Sequence, residues 1–126
     1  MGSKHTLPVL FLWTQAALVA AWWGLLALVP ESRQLFGFGD WPEMVLFAFA
    51  LPDAVVLVAG SATTAVGLSR GRPWALHTFA MVVGGALYAQ LWCLAAMWLA
   101  GGGAMPSATM GLCVVVNAWC FRVVRG

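Results

Sequence analysis

Apolar residues fill this chain in four long runs, over residues 7–29, 43–69, 74–100 and 105–124, with most charged residues between them or near the ends of the chain. A helix rises 1.5 Å per residue, so about 20 apolar residues cross a hydrocarbon core of roughly 30 Å. Every run meets that length. The pattern predicts an all-α polytopic membrane protein: one domain over residues 1–126, with four transmembrane helices in an up-down bundle joined by short loops.

The second run breaks the regularity. Counted from Trp41 to Ser69 it is about 29 residues, or ~43 Å, which is longer than the core needs. Pro52 lies inside it and is followed by Asp53. Proline lacks an N–H and crowds the carbonyl four residues back, so a helix kinked or broken at Pro52 is expected. Two depths follow for Asp53. If the helix runs through, the carboxylate sits within about 5 Å of the midplane, beside the level of Tyr88. If the helix begins at Pro52, Asp53 is a first-turn residue at a wet outer surface.

Helical spacing assigns a face to each run. Thr14, Ala17, Ala21 and Gly24 form a small-residue seam expected to pack closely on another helix. Asp53, Leu57, Gly60, Thr64 and Gly67 share a face expected to point into the protein. His77, Met81, Gly84, Tyr88 and Trp92 form a stripe on the third run, with Gly84 and Gly85 expected near Gly60. Pro106, Met110, Cys113, Asn117 and Cys120 give the fourth run a soft, polar face. Asp40 and Glu43, three residues apart, suggest a capping box that starts the second helix near Trp41.

Composition agrees with this picture. Of 126 residues, 63% are hydrophobic and 8% charged, against about 25% charged in soluble domains. The net charge of +2 is too small and scattered to suggest nucleic acid. The first run is too long for a signal peptide's core, and Trp22-Trp23 replaces a small-residue cleavage pattern. Three cysteines without a CxxC pair exclude a disulfide framework and read as small apolar side chains. With only His5 and His77 present, bis-histidine haem ligation is not expected, and no metal or cofactor is.

Charge also orients the chain. With four crossings, Lys4, Arg70, Arg72, Arg122 and Arg125 fall on one side, and Arg33 falls on the other with three acids. The positive-inside rule puts both termini in the cytoplasm, in a cell inner membrane, and the loops at 30–41 and 101–104 outside. Trp22, Trp23, Trp41 and Trp98 then read as an outer aromatic belt, and Trp13, Trp74 and Trp119 as an inner one.

An acidic side chain in a bilayer costs roughly 2.5–3.5 kcal/mol on insertion scales and is a functional hypothesis by default. Asp53 is therefore the leading candidate for a ligand-binding or proton-titrating group, placed between the second and third helices. Tyr88 and Asn117 are its expected hydrogen-bonding neighbours. Thr64, on the same face, and His77, near the cytoplasmic end of the third helix, are further candidates. Gln15, Gln90 and Asn117 also read as interhelical hydrogen-bonding groups.

Three functions fit. The first is a binding or accessory module for a lipid, isoprenoid or quinone-like ligand. The second is a proton-coupled transporter of small molecules working as a homodimer. The third is a structural subunit of a larger membrane complex. Membrane lipids, a hydrophobic small molecule and further protein copies are the expected partners.

Overall fold

The computed structural model describes residues 5–126, so Lys4 of the charge argument lies outside the described residues. Among the described residues the structure is helical, without strands. Four helices are long and apolar enough to cross a membrane: Thr6–Leu28, Glu43–Ser69, Ala75–Ala100 and Ala104–Arg125. They are called the first to fourth helices below.

The first helix ends where Pro30 begins a short 3-10 turn, Pro30–Ser32, followed by a single helical turn, Arg33–Phe36. The third helix stops at Gly101, which takes a left-handed conformation (φ 69°), and its N–H closes on Met97 O at 3.1 Å. Glycine is the residue suited to that stop, because it carries no Cβ penalty there.

The second helix begins at Glu43, with Pro42 before it and no side-chain cap. The capping box does not form. Asp40 is exposed in a turn, and Glu43 accepts from Arg33 at 2.6 Å instead. The backbone stays helical through Pro52, with the Asp53 N–H bonded to Phe49 O at 2.9 Å. Irregularity lies to either side: a turn at Ala48-Phe49, and a π-helical segment of seven residues at Ala54–Gly60. Asp53 is therefore not the first residue of a helix. It stands about 15 Å along one that began at Glu43.

Side-chain packing corrects two of the expected faces. Thr14, Ala17 and Ala21 are exposed, and a Cβ on Gly24 would meet nothing within 4 Å. The first helix instead buries Pro8, Leu12, Gln15, Ala16 and Leu26. On the third helix, His77, Met81, Gly84 and Tyr88 are exposed, and the buried side is Ala75, Phe79, Val82, Ala86, Cys93 and Ala96. The faces on the second and fourth helices do turn inward.

Close approach between the second and third helices uses Gly60 and Gly85, as expected, but not Gly84. A Cβ on Gly85 would lie 2.6 Å from Val56 Cγ1, and one on Gly60 would lie 3.0 Å from Val82 Cγ2, whereas Gly84 faces open space.

Two apolar cores result. The larger joins Leu12, Leu57, Ala65, Leu68, Ala75, Phe79, Val82, Ala86 and Cys120 across all four helices. The smaller gathers Phe38, Cys93 and Ala96, with Trp41, Phe49 and Trp92 packed against them. Phe38 comes from the loop before the second helix and meets Trp92 edge-on at 5.4 Å. That loop also touches the connection after the third helix, where a Cβ on Gly39 would strike the Ala100 carbonyl and one on Gly102 would lie 2.6 Å from Gly39 N.

Candidate functional site

Asp53 lies between the two cores. It is buried to 4% exposure, and its Oδ2 accepts a hydrogen bond from Trp23 Nε1 at 3.0 Å. No other hydrogen bond to this carboxyl comes from the described residues, where the one ion pair is Arg33–Glu43. Trp23 is thus the side chain that meets Asp53. Sequence reasoning missed it, because a tryptophan near a helix end reads equally well as part of an interfacial belt.

Asp53 borders two cavities. The larger, about 400 Å³, has its longest walls on the first and fourth helices. Gln15, Leu18 and Trp22 line it from one side, and Thr109, Leu112 and Cys113 from the other. Phe36 and Phe38 of the loop before the second helix, with Leu46 and Phe49, close one end. The surface is almost wholly apolar; Asp53 is its one acidic residue. The smaller cavity, about 270 Å³, lies between the second and third helices and is bordered by Asp53, Phe49, Tyr88 and Trp92.

The expected partners of Asp53 therefore separate. Tyr88 borders the smaller cavity with it, but is 72% exposed and makes no hydrogen bond to it. Asn117 is fully buried in a different cluster. Its Nδ2 donates to Gln15 Oε1 at 2.6 Å and to Cys113 O at 2.8 Å, while Gln15 Nε2 donates to Ser61 Oγ at 2.8 Å. This polar knot ties the first, second and fourth helices together beside the large cavity, which Gln15 lines. Gln15 and Asn117 are the interhelical groups expected of them. Gln90 packs beside Gly111 of the fourth helix, but its Oε1 is buried without a partner among the described residues.

Ser61 follows the π-helical segment and lies four residues after Leu57, on the same inward side of the helix, where it is fully buried and joins the knot. Thr64 is buried too, but it donates to Gly60 O at 2.8 Å and lies 3.1 Å from Thr78 Oγ1. It belongs to the packing of the second helix on the third. His77 is exposed and contributes to neither cavity.

Chemically, the site offers a volume within the roughly 300–1,000 Å³ of small-molecule pockets, apolar walls and one carboxyl group. Among the described residues, no three His, Cys, Asp or Glu side chains group closely enough to hold a metal ion. Comparison with protein-family models, with curated proteins and with solved structures returned no match.

Proposed function

We propose that this protein is an integral membrane binding module for a lipophilic small molecule, with Asp53 as the polar anchor of an otherwise apolar site. The observation that carries this reading is the cavity of about 400 Å³ walled by the first, second and fourth helices, with a buried carboxyl on its surface. A cavity of that size stays empty only at a cost in lost dispersion contacts, and an isolated carboxyl in such a setting is expensive without a role. Lipid-like, isoprenoid and quinone-like molecules all suit such walls.

The site sits in an up-down bundle in an inner membrane with both described ends of the chain cytoplasmic. Neighbouring contacts support the antiparallel order. Trp23–Asp53 and Gln15–Ser61 step down one helix as they step up the next, and Gly60–Val82 and Gly67–Ala75 do likewise. The backbone irregularities flanking Pro52 support a bend in the second helix there.

Native mass spectrometry of the protein extracted from its own membrane tests the reading. A bound lipophile is expected on the wild type and lost from Val116→Phe, which fills the cavity wall. Absence of any retained or added lipophile, in a protein of unaltered helicity, overturns it.

A second reading adds a second copy of the chain. The third helix presents Met81, Gly84 and Tyr88 outward, and Tyr88 borders the smaller cavity beside Asp53. A homodimer through this face would bury the tyrosine hydroxyl and enclose that cavity, the arrangement a proton-coupled transporter would use. Cross-linking of Gly84→Cys in membranes is the test, and failure to cross-link sinks it.

A further inference from the structure

The walls of the large cavity are not equally closed. At the loop end, Phe36 meets Trp22 edge-on at 5.1 Å, and Phe38 is held in the aromatic cluster of Trp41, Phe49 and Trp92. Arg33 fastens this loop. It donates to Leu26 O at 2.6 Å and Ala27 O at 3.1 Å, pairs with Glu43, and lies 5.0 Å from the centre of the Phe47 ring. Toward the other end, Gln15, held by Ser61 and Asn117, lines the wall together with Phe11 and Val116. The exposed lining residues are Thr14 and Leu18 on the first helix, and Thr109 and Leu112 on the fourth; Leu18 is 64% and Leu112 67% exposed. The open side thus lies between these two helices. In a bilayer that side faces acyl chains, not water.

We propose that the ligand is an amphiphile with a cationic, hydrogen-bond-donating head, admitted sideways from the lipid through the gap between the first and fourth helices. This rests on the binding reading above and specifies its ligand class. Asp53 receives one hydrogen bond, from Trp23, and meets no cation among the described residues. A protonated amine supplies both a charge and donors to the remaining carboxylate lone pairs. An anionic head would meet like charge, and a neutral alcohol would supply a single donor. The apolar walls then take the chain, and the slot is consistent with a slender tail.

The test uses the purified protein in nanodiscs with dodecylamine, dodecanol and dodecanoate, which differ only in head. The readout is protection of Cys113, a cavity-lining thiol, from a lipid-dissolved alkyl maleimide, located by fragmentation mass spectrometry. Dodecylamine is expected to protect about tenfold to a hundredfold more strongly than dodecanol, and dodecanoate least. Asp53→Asn keeps the Trp23 acceptor and should abolish the amine's advantage over dodecanol. A water-soluble, membrane-impermeant thiol reagent should fail to reach Cys113. Equal protection by all three heads overturns the cationic ligand but leaves a binding module. Rapid modification by the impermeant reagent overturns lateral access. No protection by any amphiphile, with Cys113 freely modified by the lipid-dissolved maleimide, removes the binding reading itself.

Discussion

Asp53 and Trp23 form a pair, with the indole N–H donating to the carboxyl. Removing the indole N–H with Trp23→Phe leaves the carboxyl without a protein donor, and loss of a partner from a buried polar group costs about 1–3 kcal/mol. Unfolding in mixed micelles should show that loss, whereas Asp53→Asn, which retains an acceptor oxygen, should cost less. Equal stability of Trp23→Phe and wild type would show that the bond contributes nothing. The knot of Gln15, Asn117 and Ser61 should behave as one unit. Gln15→Leu and Asn117→Leu are expected to couple by about 0.6–1.7 kcal/mol in a double-mutant cycle, the range for interhelical hydrogen bonds in membranes. Additive losses would mean that the two amides act separately. That Asp53 faces inward was legible from one acid in an apolar stretch. Its partner was not, because Trp23 is thirty residues away in sequence and could equally face lipid headgroups. Tyr88 was the attractive alternative, but proximity in depth says nothing about rotation about the helix axis, and the third helix turns it outward.

Rotation is also the lesson at the scale of the helix. Spacing by three and four identified the inward faces of the second and fourth helices, where polar and small residues coincide with buried ones. On the first and third helices nearly every position is apolar, so period alone could not choose a side. The π-helical segment was invisible for a different reason. Hydrogen-bond register depends on what the neighbours demand, and the run Ala-Val-Val-Leu-Val-Ala-Gly carries no local signal for it. Adjacent glycines on the third helix give a direct check. Gly85→Ala would press its Cβ on Val56, a β-branched side chain with little rotamer freedom in a helix. Overpacking of this kind costs about 1–3 kcal/mol. Gly84→Ala meets nothing within 4 Å and should be neutral or slightly stabilising, since alanine is the better helix former. Equal effects of the two changes would contradict the packing of the second helix on the third.

Across the whole molecule, four apolar runs were enough to read out four helices that can span a membrane. The cavity was not readable, because it follows from how the first and fourth helices separate beside their shared polar knot. Arg33 resolves the one discord in the charge pattern. It is the single basic residue of the loop assigned to the outside, yet it is neutralised by Glu43 and by the carbonyls ending the first helix. Orientation follows the count of basic residues, and this single one is outnumbered by Arg70, Arg72, Arg122 and Arg125. This leads to a specific expectation for labelling in intact cells. An impermeant maleimide added outside should modify Gln34→Cys, an exposed position in the Arg33 loop, and should modify Ser69→Cys, exposed beside Arg70, only after the membrane is opened. The native cysteines sit within the third and fourth helices, buried or half-buried, so the background is low. The opposite pattern would invert the chain and place the aromatic roof over the cavity at the cytoplasmic face. Labelling of both positions from outside would be incompatible with a crossing by the second helix.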